Sequence, residues 1–156
     1  MSSQFKPSFD KDYLISVKSK RFGVVSSEWN PEIINRLLDG TFDFFDTIGL
    51  NKKVILHHKV PGSFELIYGC ANMRRKYDLD AIIAIGSIIK GETKHFDFIS
   101  QSVCDGIKDI NITDGCPVIL CLLTDDNFQQ SIERSGGKHG NKGYDCAEAA
   151  AKMTLI

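Results

Sequence analysis

The sequence predicts an α/β fold, a three-layer α/β/α sandwich around a four-stranded parallel sheet. Four strand-like runs alternate with helix-like segments along the chain. Two of those runs, Ala81–Ile85 (extending toward Ile89) and Pro117–Thr124, are apolar almost throughout instead of alternating, which marks strands covered on both faces. The repeated strand-then-helix order gives an open parallel sheet with right-handed crossovers.

The elements follow in order. The first ten or so residues are extra to this pattern. Phe5, Phe9 and Tyr13 lie in a strand-like N-terminal segment and have no obvious local use, so they are expected to pack on a neighbouring subunit or on this one. The first strand is Arg21–Ser26. Asn30 is an N-cap and Pro31 the first helical residue. Ile33, Ile34, Leu37, Leu38, Phe44, Phe45 and Ile48 then recur at helical spacing, and Gly49 stops the helix. The second strand is Lys53–Val60. A helix over about 64–77 places Leu66, Ile67, Cys70, Ala71 and Met73 on one side. The third strand leads into a helix over about 94–111, and the fourth into short helices over about 127–135 and 144–153. No internal repeat or linker interrupts the pattern. Residues 1–156 therefore read as one domain, with about 1–15 as an N-terminal extension packing on a neighbouring subunit.

Composition narrows the function classes. The chain has 156 residues, 19 Lys+Arg against 20 Asp+Glu, and a net charge of −1, which argues against a general nucleic-acid binder. The cysteine count is five, no CxxC occurs, and several cysteines lie in apolar runs, so they read as buried reduced thiols of a cytosolic protein. No paired ligand spacing suggests a metal site, and His57-His58 has no carboxylate or thiol nearby in sequence at ligand spacing. No apolar run approaches the roughly 20 residues a membrane span needs. The expectation is a cytoplasmic protein with no membrane or nucleic-acid partner.

In such sheets ligands bind beyond the C-terminal ends of the strands. The loops there are Ser27–Asn30, Pro61–Glu65, Ser87–His95 and Asp125–Asn127. The third is the most informative. An apolar strand runs into Lys90-Gly91-Glu92-Thr93 and then into a helix start. A glycine loop that opens a helix offers free N–H groups and a positive dipole end to a phosphate or other anion. His95, in the first turn, would lie beside that anion, placed for proton transfer. The bland reading is a capping loop with a surface histidine. Trp29 can stack on a heteroaromatic ring or serve the core. Glu65 can accept from hydroxyls or simply favour a helix start. Ser131–Gly143 carries four glycines and the cations Arg134, Lys138 and Lys142 with His139. Arg134 can grip a phosphate with its planar fork, and the alternative is a solvated inter-helix turn. No GxGxxG follows the first strand, and there is no GxSxG elbow. Asp125-Asp126 lacks the acidic partners at Ser26-Ser27 that a phospho-acceptor cluster needs.

These pieces together resemble the lumazine synthase family of riboflavin biosynthesis. The matching segments are Trp29-Asn30, Val60–Glu65, Gly86–Asp97, Pro117-Val118 and Ile132–Gly143, in the family's order and from about residue 20 to the end. The resemblance implies a flavodoxin-like, doubly wound sheet. It implies condensation of 5-amino-6-(D-ribitylamino)uracil with 3,4-dihydroxy-2-butanone 4-phosphate to 6,7-dimethyl-8-ribityllumazine, phosphate and water, with no metal or organic cofactor. Carried over, Trp29 stands where the family has an aromatic that stacks on the pyrimidine. Ser63, Phe64 and Glu65 match the ribityl-binding segment, and Ser87, Ile88 and Ile89 the strand end that reads the pyrimidine edge. Glu92 and Thr93 match the phosphate loop, Arg134 the phosphate-binding arginine, His95 the acid–base residue and Lys142 a lysine near the ring. Leu120 replaces a frequent phenylalanine, and Glu92 puts a carboxylate in the phosphate loop. The resemblance also implies a homopentamer with each site shared by two neighbours. Trp29, Ser63–Glu65 and Leu120 would face the phosphate loop and Arg134 of the other chain, or the reverse. A sixty-subunit icosahedral shell is favoured over a free pentamer, and association with riboflavin synthase is a further implied partnership. The reading from another class is a non-catalytic flavin or lumazine carrier on the same scaffold. His95 and Arg134 together favour the enzyme, because a carrier needs neither proton transfer nor phosphate loss.

Overall fold

The sheet runs β2-β1-β3-β4, all parallel, in a computed structural model that describes residues 9–156. Its strands are β1 (Phe22–Ser27), β2 (Leu56–Val60), β3 (Ala81–Ile89) and β4 (Val118–Asp125). The helices are α1 (Lys11–Lys18), α2 (Pro31–Thr47), α3 (Leu66–Lys76), α4 (His95–Asn111), α5 (Phe128–Arg134) and α6 (Lys142–Met153). This is the three-layer α/β/α arrangement expected, consistent with a flavodoxin-like fold.

The two-residue period of a strand divides the core. Val24, Ile83, Ile85, Cys121 and Leu123 point to the layer of α2 and α6. Val25, Ile82, Ala84 and Val118 point to the layer of α3 and α4. Both faces of the central strands are covered, so β1 is buried throughout and β3 from Ala81 to Ser87. That double burial is why their sequences do not alternate.

Four local features differ from the sequence expectation. The segment after residue 10 is a helix, not a strand: Asp10 caps α1 by accepting from Tyr13 N at 2.7 Å. Phe9 stacks on Tyr13 and meets Phe44 of α2 edge-on, so both pack on this chain's own core. Phe5 lies outside the described residues. The second strand begins only at Leu56. The Asn51 side chain accepts from Lys53 N at 2.9 Å and winds Lys52–Val54 into a 3-10 turn. A small hairpin, β5 (Ser135–Gly137) with β6 (Gly140–Asn141), fills what read as an open turn. Asn141 anchors it by donating to Arg36 O and Ser135 O, while its side-chain oxygen accepts from Gly143 N and starts α6 two residues early.

Asn30 precedes α2 as expected but does not cap it with its side chain. It holds the left-handed backbone conformation, φ 57°, and its Nδ2 donates to Ser87 O at 3.1 Å. The side chain thereby ties the β1–α2 turn to the end of β3. Asparagine tolerates this conformation better than other side chains.

Two stability predictions follow from these contacts. Gly143 lies where α6 meets α2, and a Cβ there would overlap the Leu37 carbonyl oxygen and stand 2.9 Å from Thr41 Oγ1. The Thr41 hydroxyl sits between Leu37 O and Gly143 O at 2.9 and 3.2 Å, so backbone has to move to make room. Gly143→Ala is expected to cost about 3 kcal/mol, read as a lower urea midpoint at unchanged slope. An unchanged midpoint would refute this packing. At the β1–α2 turn, Asn30→Ala loses the bond to Ser87 and pays the left-handed backbone cost, together about 1.5–3 kcal/mol, whereas Asn30→Gly escapes the steric part. Thermal melts should therefore rank Gly above Ala at this position, and the opposite order would exclude the left-handed turn.

Candidate active site

Beyond the C-terminal ends of β1, β2 and β3 lies a cavity of about 610 Å³. Parallel strands bring three loops to the same end of the sheet, and each supplies part of the wall. The β1–α2 turn gives Trp29 and Asn30, the β2–α3 turn gives Gly62, Ser63, Phe64 and Glu65, and the end of β3 gives Ser87, Ile88 and Ile89. His95 and Ile99, on the first turns of α4, complete it. The sequence had pointed to eight of these residues: Trp29, Ser63, Phe64, Glu65, Ser87, Ile88, Ile89 and His95.

The chemistry of the wall is mixed. Trp29 is 71% exposed and Phe64 49%, so neither ring is spent on the core and both offer a face to a flat or apolar ligand. Ser63 and Ser87 are buried, and their hydroxyls have no partner within the protein. A buried hydroxyl without a partner costs on the order of 1–3 kcal/mol, which a hydroxyl or carbonyl of a ligand would relieve. The close approach of these groups depends on Gly86, where a Cβ would stand 2.7 Å from Ser63 Oγ. Glu65 starts α3 without capping it, and its carboxylate folds back over Gly62.

The glycine loop runs along the same end. Gly91 to His95 are exposed, and a Cβ on Gly91 would meet nothing within 4 Å, so the loop backbone is open to approach. Thr93 Oγ1 accepts from His95 N at 3.3 Å, which opens α4 at His95. Lys90 N donates to Asp125 O at 2.9 Å and tethers the loop's start to β4. Glu92 and Thr93 flank the cavity without lining it.

The remaining expected residues stand elsewhere. Leu120, Arg134 and Lys142 line a second cavity of about 490 Å³ along β4, which is an edge strand of the sheet. The two cavities share no residue. Leu120 therefore belongs with Arg134, not with Trp29 and Ser63–Glu65, and the Lys90–Thr93 loop, between Ile89 and His95, runs beside the Trp29 cavity. The expected grouping of these segments is corrected on both points. The reason is topological: β4 has no strand on its outer side, so Leu120 and the residues of α5 and α6 open onto that edge.

Arg134 is held rather than free. Its Nη1 donates to Gln130 O at 3.3 Å and lies 3.7 Å from Asp125 Oδ1. Asp125 is only 5% exposed, and Ser131 Oγ donates to its other oxygen at 2.7 Å. Lys142 Nζ bonds Asp145 Oδ2 at 2.8 Å, and that bond raises its pKa despite partial burial, so the side chain stays a cation. Asn30, Gly62, Ile99 and Asp125 were not singled out as site residues. The register Ile89↔Asp125 would have been the signal for the last of them, and it is a property of the sheet, not of the sequence.

Among the described residues no group of three or more His, Cys, Asp or Glu side chains converges as a metal site, and no helix is long and apolar enough to cross a membrane.

Known proteins resemble this chain over most of its length. A family model described as 6,7-dimethyl-8-ribityllumazine synthase matches residues 19–156. A protein of that name from Christiangramia forsetii is 53% identical over 95% of this chain and 89% of its own length. One from Flavobacterium johnsoniae is 50% identical over 95% of this chain and 78% of its own, and one from Bacteroides fragilis 46% over 85% and 93%. With the match running from just before β1 to the last residue, through both cavities, the chain belongs to the 6,7-dimethyl-8-ribityllumazine synthase family.

Proposed function

We infer that this chain condenses 5-amino-6-(D-ribitylamino)uracil with 3,4-dihydroxy-2-butanone 4-phosphate to form 6,7-dimethyl-8-ribityllumazine, the penultimate step of riboflavin biosynthesis. The observation that carries the reading is the cavity that brings Trp29, the unpartnered Ser63 and Ser87 hydroxyls and His95 to one end of the sheet. Trp29 stacks on the pyrimidine. Ser63, Phe64 and Glu65 take the ribityl chain, and Ser87, Ile88 and Ile89 read the pyrimidine edge. The loop through Glu92 and Thr93 receives the phosphate with its backbone, leaving the Glu92 carboxylate in solvent.

In the reaction the pyrimidine's amine attacks the ketone, water leaves, and an imine forms. His95 then takes a proton from the adjacent carbon as the phosphate leaves, and returns protons as the ring closes with loss of a second water. Arg134 and the N-terminus of α4 stabilise the departing dianion, and Lys142 adds positive charge near the ring. Much of the remaining acceleration is positioning of two substrates. These steps use no metal or organic cofactor and suit a cytoplasmic enzyme.

A complete site needs both cavities, and in one chain they are separate. The reading is therefore of a pentamer in which the β4 edge of one subunit, with Leu120, Arg134 and Lys142, closes over the Trp29–His95 cavity of its neighbour. Exposed Trp29, Phe64 and Tyr68, the last 70% exposed, supply apolar surface for such a contact. The β5–β6 hairpin turns through Lys138 and His139 alone and presents no bulky insertion against pentamer–pentamer contacts, which favours the sixty-subunit shell. Such a shell could also house riboflavin synthase.

Purified protein mixed with both substrates should develop lumazine fluorescence, and its absence from folded protein would overturn the reading. His95→Ala should keep substrate binding and lose about 10²-fold in turnover. Full turnover would remove His95 from the proton transfers. For the shared site, Trp29→Ala and Arg134→Ala subunits, each weakly active alone, should regain activity when mixed and allowed to exchange, because some interfaces then carry two intact halves. No recovery in exchanged assemblies, or a fully active monomer, would exclude sharing.

A further inference from the structure

The second cavity holds a pair of thiols that the proposed chemistry does not use. Cys121, on β4, and Cys146, on α6, both line it, together with Arg134 and Lys142. The Cys146 thiol donates to Leu120 O at 3.7 Å, the carbonyl that precedes Cys121 in the strand. Cys121 faces the core layer of α2 and α6, and Cys146 packs against that same cluster. Cys121 is buried, and Cys146 is half-buried and opens toward the cavity.

The two sulfurs are not equivalent. As a hydrogen-bonding partner Cys121 favours the Cys146 thiolate, against the cost of burial, and nearby Lys142 helps while Asp145 opposes. Cys121 gives up that proton reluctantly, because the same bond and its burial both hold it as a thiol. Arg134, Asp125 and Asp126 are the other charged groups on the cavity wall; Arg134 pairs with Asp125, and Asp126 with Lys90. A more acidic, accessible thiol beside a protonated one is the arrangement of an attacking and a resolving cysteine. The other cysteines lack it. Cys70 is buried with its thiol pushed up to about 12 by burial, burial also raises Cys116, and Cys104 is exposed.

We propose that Cys121 and Cys146 form a reversible redox site, closing to a disulfide when a peroxide enters the cavity, and that closure disables the β4-edge half of the active site. The Cys146 thiolate attacks one peroxide oxygen, the O–O bond breaks, and hydroxide leaves to be protonated to water. Cys146 is then a sulfenic acid. The Cys121 sulfur attacks the Cys146 sulfur, the S–O bond breaks, and the Cys121 proton leaves with the hydroxide as a second water. Two thiols have lost two electrons and the peroxide has gained them. A dithiol reductant reverses the bond by exchange. An S–S bond requires the two sulfurs to close to about 2.05 Å, so α6 and β4 are drawn together at this point. Lys142 is one turn before Cys146 on the same helix and Leu120 is next to Cys121, so both shift with the bridge. The effect on turnover rests on the role given to Lys142 above, while the bridge itself does not.

The assembled protein, treated with a small excess of hydrogen peroxide and mapped by mass spectrometry without reduction, should yield a Cys121–Cys146 cross-linked peptide that dithiothreitol abolishes. Cys146→Ser should lack it. Cys121→Ser places a hydroxyl in the core, so Cys121→Ala serves as the second control. A stable Cys146 sulfenic acid trapped by dimedone with no cross-link, or a bridge from Cys70 to Cys116 instead, would overturn the pair. In the lumazine fluorescence assay the cross-linked protein should lose at least tenfold in turnover and recover on reduction, and peroxide-treated Cys146→Ser should keep its own untreated rate. Unchanged turnover in fully cross-linked protein would overturn the coupling to the site while leaving the bridge and the enzymatic reading intact.

Discussion

The double burial of β3 is the constraint on which the rest of the molecule depends. From Ala81 to Ser87 every residue is enclosed, between β1 and β4 in the sheet and between two helical layers above and below. Such a strand carries no polar side chain until it nears its end, and its backbone groups are satisfied only if both neighbours keep register. Ser87 is the first polar residue on it, and it falls just beyond the last pairing with β1, where only β4 still pairs. Gly86 precedes it because Ser63, Leu66 and Leu122 crowd that point. The same strand therefore fixes the core, the floor of the first cavity and, through the loop to His95, the start of α4.

The second cavity is the consequence of the sheet ending at β4, on the other side of β3. β4 pairs with β3 along its whole length, from Val118 to Asp125, and has no further strand beyond it. An open edge is a liability unless it is covered. Here α5, the β5–β6 hairpin and α6 gather at that edge and bring cations with them. Arg134 would be a loose surface arginine but for Asp125, a nearly buried carboxylate bonded by Ser131. A buried carboxylate that already has a hydroxyl donor does not neutralise the guanidinium fully at 3.7 Å. It orients the fork and leaves donors free for a more highly charged anion.

Most of the architecture was legible because the strongest signals were ones of period and punctuation. The unbroken apolar runs gave β3 and β4, and Pro31 and Gly49 bracketed α2 closely. What escaped were the places where an asparagine side chain overrides the local pattern. Asn51 turned the start of an apparent strand into a 3-10 turn, and Asn141 built the hairpin and advanced α6. Asn30 abandoned capping for a contact with Ser87, a residue far away in sequence. The choices of Asn30 and Asn141 depend on partners that only the fold supplies, Ser87 O and Arg36 O, whereas that of Asn51 is a local turn onto Lys53 N. The site was legible in its residue types and not in its grouping. Nothing in the spacing of Leu120 and Trp29 says that they open onto different cavities, because that is decided by strand order.

Strand order also bears on the proposal that one chain carries two half-sites. A single subunit has the apolar and hydrogen-bonding wall in one cavity and Arg134, the proposed phosphate ligand, in the other. A flexible chain could bring them together only by unpairing β4, which would expose the apolar residues that β4 buries against both layers. The cost of that would exceed the gain from one phosphate contact, worth about 1.5–3 kcal/mol. In the proposed assembly, joining the halves through a neighbouring subunit would avoid the cost altogether: the sheet would stay intact, the open edge would be covered, and Trp29 and Phe64 would lose contact with water. On this account assembly and catalysis draw on the same surface, and a substitution on the β4 edge would act on both at once.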